Sequence, residues 1–533
     1  MTIGSEFDRA FRLHQQGKLR EAFLRYDAIL KADPQHAPAL HYSGVVLHQA
    51  GKHVAAAERI RAAIAADPTS PDAWSNLALV LQAVDRPEAA VNALKEAGKR
   101  APHSPEIWCN LAAAHLALGE LDDAERSARQ AIAADARHAA GWYHLALALA
   151  PRGRTLEALD AATRAHGIAA DVAAHAGLKA QLEDQLGSPD QAKATLGVAL
   201  ARHPTTTALR FDLASLLERH GDLAGAASAY ELVLRAEPSH GAALSQLLFV
   251  RQRTGDWRDL AALRGAFKAG IAESRPLLSP FVCLSQPATR TEQRRCAENW
   301  AQSLHLSIAT NAAPRLSQGR LKIGYLSADF HTHATAFLTA GLFEHHDRAR
   351  FEVTAYSVGP DDRSPMRARL QRAFDRFVDL RGAPPGTIAE AIRRDQTDLL
   401  IDLKGHTEGV SPAVLALRPA PVQIHYLGYP GTLGGNLVDY LIGDAVVTPH
   451  THAADYAETL VQLPDSYQVN DIAREVSAHP RGSSAVFPRP ESCSAASTEA
   501  IRSIRKLLIH GQQFLQRPQV RRSGYWPVAP LTR

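Results

Sequence analysis

The chain has 533 residues, 46% apolar and 21% charged, which excludes a disordered, collagen-like or fibrous protein and requires two to four domains. Its four cysteines, Cys109, Cys283, Cys296 and Cys493, show no paired spacing, which argues against a disulfide framework or a cysteine zinc site and makes a reducing cytosol the expected compartment. The net charge of +4 hints at an acidic partner, but no stretch has the 18 or so apolar residues of a membrane helix, and Met1–Gly17, with Glu6 and Asp8, does not read as a signal peptide.

The first half is a ruler with a period of 34. Gly17, Gly51, Asp85, Gly119, Gly153, Gly187, Gly221 and Gly255 mark it. Five residues after the first seven comes an alanine: Ala22, Ala56, Ala90, Ala124, Ala158, Ala192 and Ala226. Seventeen residues after them stand Pro34, Pro68, Pro102, Ala136, Ala170, Pro204 and Pro238, and Trp74, Trp108 and Trp142 share a third phase. The physics is that of a helix–turn–helix unit. Glycine turns the chain, alanine lets two helices approach, proline closes the unit and tryptophan fills the space between pairs. The pattern resembles the tetratricopeptide repeat, and the resemblance implies an all-α solenoid with a concave groove over 1–270.

The tryptophans read as packing residues, not as cofactor contacts. Two positions beyond each lie Asn76, Asn110 and His144, a column of polar side chains in the groove. Side-chain amides there can bond the backbone of an extended acceptor peptide, while a merely solvated helix face is the plain alternative. Pro276, Pro280 and Pro287 break the period, 291–308 reads as one more helix, and 312–319 as a linker, so 271–318 is a transition.

From Arg320 the pattern becomes strand, loop, helix. Strands are expected at 322–326, 351–357, 398–403, 421–426 and 439–444, with a short run at 377–380. Helices are expected at 334–346, 365–376 and 387–394. This alternation predicts an α/β lobe with a parallel doubly wound sheet over 319–471. Ligands then sit at the carboxyl ends of the strands, on loops 327–334, 404–409 and 427–435. His331 with His333, and His345 with His346, lack a third ligand at useful spacing, so no metal is expected.

Those loops read Ser327-Ala-Asp-Phe-His-Thr-His333, Gly405-His-Thr407, Leu417-Arg-Pro-Ala-Pro-Val-Gln423 and Leu427-Gly-Tyr-Pro-Gly-Thr432. They resemble the catalytic region of protein O-GlcNAc transferases and their Spindly-type relatives, family GT41, in which tetratricopeptide repeats precede a GT-B glycosyltransferase. The resemblance implies an inverting protein O-glycosyltransferase. It moves a sugar, GlcNAc being expected, from a nucleotide sugar such as UDP-GlcNAc to Ser or Thr, with no metal and no other cofactor. It places His333 and His406 among the catalytic residues, and Leu427, Gly428, Pro430, Gly431 and Thr432 at the sugar. The position of His406 carries tyrosine in the vertebrate enzymes. Acceptor proteins would occupy the repeat groove at Asn76, Asn110 and His144, and exposed repeat faces offer a route to homo-oligomers. A histidine suits the hydroxyl proton near neutral pH, and a diphosphate leaving group needs donors.

The resemblance stops near Asp471. A GT-B enzyme needs a second Rossmann-like lobe of on the order of 150 residues. The tail, 472–533, holds ten Lys+Arg against three acidic residues, six prolines and eight serines, with no strand–helix alternation, and is expected to be poorly ordered. Shifting the reading frame from Ala485 permits GLPPAGVVFCSFNRSYKIDP over 485–504, which resembles the start of the family's second lobe, so a frameshift between Asp471 and Ala485 is expected. The tail's +7 leaves −3 for the other 471 residues, so the basic charge is no sign of nucleic acid. Lacking that lobe, the chain would be inactive, and a non-catalytic peptide-binding scaffold is the alternative function.

Overall fold

The 34-residue period is built as paired helices in a computed structural model that describes residues 2–304, 319–407 and 412–473. The expected linker at 312–318, loop residues 408 and 409, Cys493 and the tail from 474 lie outside the described residues. Met1–Ile472 forms one compact unit. In the solenoid, α1 (Ile3–Gln15) pairs with α2 (Leu19–Ala32), α3 (Ala37–Gln49) with α4 (His53–Ala66), and α5 (Pro71–Ala83) with α6 (Pro87–Arg100). Next come α7 (Pro105–Leu118) with α8 (Leu121–Ala134), α9 (Ala139–Leu149) with α10 (Thr155–Ile168), and α11 (Ala173–Gln185) with α12 (Pro189–Arg202). The last pairs are α13 (Thr207–Arg219) with α14 (Leu223–Ala236), and α15 (Gly241–Thr254) with α16 (Leu260–Ala272).

Every period-marking glycine closes the turn inside its pair with positive φ, from 67° at Gly255 to 83° at Gly221. Asp85 takes the same left-handed conformation at φ 55° with a side chain attached. The seven period alanines are all at 0% exposure, so each is where two helices touch. A further 34-step column, His36, Ser70, Ser104 and His240, caps first helices by accepting a backbone N–H three residues on. Trp74, Trp108 and Trp142 are partly buried, and each indole N–H donates to the carbonyl of residue 68, 102 or 136 in the preceding turn. They are packing residues.

Helices continue through the proline-rich transition. α17 (Pro280–Leu284) starts on a proline, and α18 (Arg290–Ser303) starts on a Thr289–Glu292 capping box. The lobe then runs β1 (Leu321–Ser327), α19 (Ala334–Glu344), β2 (Phe351–Ser357), α20 (Pro365–Ala373), β3 (Arg376–Asp379), α21 (Pro385–Arg394) and β4 (Leu399–Asp402). It ends with α22 (Pro412–Ala416), β5 (Val422–Tyr426), β6 (Tyr440–Asp444) and β7 (Thr459–Leu463). Two expectations are corrected. Arg376 opens β3 and does not end a helix, and β7 is a strand the sequence pattern did not show.

The sheet is parallel throughout, in the order β3-β2-β1-β4-β5-β6-β7. Alternate residues serve its two faces. Leu326, Tyr356 and Leu400 pack with Ile388, Ile392 and Leu415 on one face. Ile323, Val353 and Ile401 pack with Ala340, Phe343 and Leu370 on the other. The chain moves outward from β1 to β3, then crosses back to β4. The loops after β1 and β4 therefore part on opposite sides of a crevice at their carboxyl ends, the usual ligand position of an open α/β sheet. Among the described residues no helix is long and apolar enough to cross a membrane.

Candidate functional site

The crevice is closed by a salt bridge that joins two distant loops. Lys404, just after β4, puts Nζ 2.9 and 3.1 Å from the two carboxylate oxygens of Asp329, just after β1. Both residues are buried. Thr335 Oγ1 also donates to Asp329, at 3.2 Å. Neither Lys404 nor Asp329 was among the expected site residues. Their pairing spans 75 positions and leaves no local pattern.

His333 stands beside this pair as the N-cap of α19. Its Nδ1 accepts the Thr335 backbone N–H at 3.2 Å and lies 3.4 Å from Asp329 Oδ2. The side chain is 41% exposed, so it can meet a ligand. With Nδ1 accepting the cap bond, a neutral imidazole carries its proton on Nε2 and donates there. Moving that proton to Nδ1 exchanges the cap for a bond to Asp329 and frees Nε2 to accept.

His406, the other expected catalytic residue, is held in place by its neighbours. Its Nε2–H donates to the Leu433 carbonyl at 2.8 Å, and its ring meets the edges of Trp300 and Tyr429. Burial pushes the imidazole down to about 4, against the pull of the Leu433 carbonyl, so it is neutral near pH 7. It ties the loop after β4 to the loop after β5 and to α18.

Leu427–Thr432 follows β5. Leu427 has φ 70°, a left-handed conformation costly for a branched residue and common at functional sites. Gly428 lies so close to β4 that a Cβ would sit 1.8 Å from the Leu403 carbonyl oxygen. Leu427, Pro430 and Gly431 line a cavity of ≈ 110 Å³ with Tyr429, Tyr456 and Tyr467. Thr432 is not open to a ligand. Its buried hydroxyl donates to Glu458 Oε2 at 2.7 Å and accepts from the Gly434 and Ala457 N–H groups. It fixes the loop.

Two further contacts set that loop. His425, buried at the end of β5, holds Asp402 Oδ2 through Nδ1 and the Tyr429 carbonyl through Nε2, both at 2.9 Å. Both partners accept, because Asp402 also takes the Lys404 and Gly405 N–H groups, so His425 carries two protons. Burial opposes that charge, yet the bonds to Asp402 and the Tyr429 carbonyl outweigh it and raise the pKa. The Tyr429 hydroxyl donates to the Pro280 carbonyl at 3.2 Å, locking the loop to the transition helices.

In the groove, Asn76, Asn110 and His144 have different settings. Asn76 shares a 2.8 Å bond with His41 Nε2, and Asn110 is half-buried. His144 is pushed down to about 4, chiefly by burial, and its Nδ1 has no partner among the described residues. One period on, Leu178 is buried in the core, and the next position is Asp212. Among the described residues, His331 with His333 and His345 with His346 belong to no group of three ligand-type atoms within 4.8 Å. Among the described residues only His115, Glu120 and Asp123 bring three ligand-type atoms within 4.8 Å, and Glu120 there simply bonds His115.

Residues 293–490 match glycosyl transferase family 41, beyond the Asp471 limit read from the sequence. Tetratricopeptide repeat profiles match 8–71, 47–108, 81–149 and 178–240. The chain is 38% identical over 156 residues to the Arabidopsis thaliana probable UDP-N-acetylglucosamine–peptide N-acetylglucosaminyltransferase SEC, covering 29% of this chain and 16% of that protein. It is 40% identical over 156 residues to the Caenorhabditis elegans UDP-N-acetylglucosamine–peptide N-acetylglucosaminyltransferase, covering 29% and 14%. The matched stretch is thus a small part of each relative's length. Among solved structures, a Thermobaculum terrenum O-GlcNAc transferase mutant aligns over 63% of this chain and 59% of that one, at 25% identity and a TM-score of 0.40.

Proposed function

We propose that this chain, in which a glycosyl transferase family 41 region follows a tetratricopeptide-repeat solenoid, serves the transfer of a sugar from a nucleotide diphosphate to Ser or Thr hydroxyls of proteins. The observation that carries the reading is the grouping of His333, the Asp329–Lys404 pair and the Leu427–Gly431 turn at the carboxyl ends of β1, β4 and β5. The relatives' names give UDP-N-acetylglucosamine as donor and peptide as acceptor, and we carry both to this chain.

The chemistry is an inverting displacement without a metal. The acceptor oxygen bonds to the anomeric carbon, the bond to the diphosphate oxygen breaks, and the hydroxyl proton leaves. His333 takes that proton on Nε2 in the tautomer whose Nδ1–H faces Asp329. The Leu427–Gly431 turn receives the sugar, and the absence of a side chain at Gly428 lets the turn lie against the Leu403 carbonyl. Acceptor segments reach the site from the groove of the solenoid.

Calorimetric titration with UDP-GlcNAc and label transfer from it to a Ser-rich peptide test the proposal. Micromolar donor binding by the chain is the expected result, and a version supplied with a second Rossmann-like lobe should show transfer that is lost in His333→Ala. Full transfer by His333→Ala removes that residue from the reaction. Absent donor binding with retained peptide binding leaves a peptide-binding scaffold.

A further inference from the structure

The loop that carries Asp329 and His333 is fastened from one side by the chain after β2. Strand pairing between β1 and β2 ends at Ser327 and Ser357. Three contacts then continue it at every second residue of the loop. Gly359 lies so close to the Ala328 carbonyl that a Cβ has no room there. Arg367 Nη1 donates to the Phe330 carbonyl at 3.0 Å. The Thr332 N–H donates to Asp362 Oδ2 at 2.9 Å. The residues between and beyond these anchors carry the chemistry. Asp329 meets Lys404 and His333, and the His331 and His333 rings lie 5.7 Å apart. The loop is therefore held by its backbone on one side and offers its side chains on the other.

Both side-chain anchors belong to the start of α20. Asp362 also accepts the Ser364 N–H at 3.1 Å, and Ser364 caps α20 by accepting the Arg367 N–H. Arg363 between them takes φ 53°, a left-handed conformation costly for a residue with a side chain and common at functional sites. Arg367 is 2% exposed, an expensive place for a cation. Asp379 at 3.2 Å and the face of Phe377 at 4.6 Å offset that cost, and Ser357 Oγ takes a further bond. Among the described residues, the one backbone acceptor of this guanidinium is the Phe330 carbonyl, one residue past Asp329.

We propose that Asp362 and Arg367 are positioning residues that set where His333 stands, Asp362 through the amide next to it and Arg367 through the carbonyl next to Asp329. This rests on the reading of His333 as the proton acceptor and adds what fixes its geometry. A base must lie within hydrogen-bond reach of the hydroxyl it serves, and a displacement of about 1 Å costs up to ~100-fold in rate.

Asp362 is exposed, so its replacement leaves the core of the lobe untouched, whereas Arg367 is buried. The test therefore compares Asp362→Ala with Asp362→Asn in the full chain. Both remove the charge, and only Asn keeps an oxygen for the Thr332 N–H. NMR of the histidine rings in selectively labelled chain, with the His333 signal assigned by its absence in His333→Gln, should show that signal displaced in Asp362→Ala and in place in Asp362→Asn. An unmoved signal in Asp362→Ala overturns the proposal, as does an equal displacement in the two variants, which would be the effect of the charge. In the version supplied with a second Rossmann-like lobe, Asp362→Ala should lower kcat on the order of tenfold and leave KM for UDP-GlcNAc unchanged, and Asp362→Asn should keep kcat. A rise in KM with kcat unchanged also overturns the proposal. A displaced signal with full kcat keeps the positioning and removes His333 from the reaction, so the two failures are distinct.

Discussion

Lys404 Nζ lies 2.9 Å from Asp329 Oδ1, and this pair ties the loop after β1 to the loop after β4. Each side chain is under a tenth exposed, so neither charge has water to fall back on. Lys404→Met therefore leaves a buried carboxylate unpaired and should cost about 3 kcal/mol, read from the urea unfolding of the lobe. Asp329→Asn combined with Lys404→Met should lose clearly less than the sum of the single changes. Strict additivity would show that the two groups do not act on each other.

His425 should make the lobe sensitive to rising pH. Its folded pKa is raised, because the bonds to Asp402 and the Tyr429 carbonyl overcome burial. A group raised in this way contributes fully below its unfolded value of ~6.5, and the contribution fades as pH climbs through the folded value. The unaltered chain should thus lose stability relative to His425→Gln as pH rises above ~6.5. Parallel stability curves from pH 6 upward would contradict the doubly protonated assignment.

Much of the solenoid was legible because each 34-residue unit repeats one set of contacts. Ala22 and Ala124 face the same steric limit, and Gly17 and Gly119 make the same turn. The lobe's alternation was legible for the opposite reason, since its strands are apolar runs covered on both faces. β7 escaped because Thr459, Val461 and Leu463 stay exposed at the sheet edge and the run lacks a buried pattern. The site was legible as loops and not as chemistry. The motif pointed to His333 and the turn after Leu427, but Lys404, Asp329, His425 and Glu458 act through partners 23 to 75 residues away. One period beyond His144 stands Leu178, which the core absorbs, since periodicity gives position and does not say which side chains pack inside.

Asp85 offers a stabilising change. It alone among the eight period markers bears a side chain in the left-handed conformation, at φ 55°. Asp85→Gly removes that steric cost, at the expense of a more flexible unfolded chain. The net effect should be a gain of about 0.5–1 kcal/mol, visible as a higher Tm of the full chain. A lower Tm would mean that the carboxylate makes a compensating contribution at the turn.

His406 should respond to pH with the sign opposite to His425. Its folded pKa is depressed to about 4 by burial, so it is neutral in the fold and protonated more readily when unfolded. The unfolded chain then binds more protons between ~6.5 and 4, and stability falls as pH drops through that window. Replacing the ring in His406→Phe removes this proton linkage, along with the bond to the Leu433 carbonyl. At pH 7 the variant should be less stable by about 1–2 kcal/mol, the cost of a buried carbonyl losing its donor. Toward pH 4 the deficit should shrink or reverse, because only the unaltered chain must keep a histidine uncharged. Urea unfolding of both proteins at pH 7, 5.5 and 4.5 measures this directly. A deficit that stays constant across the three pH values would mean that His406 does not titrate below its ordinary range, and would reopen its role as a proton carrier.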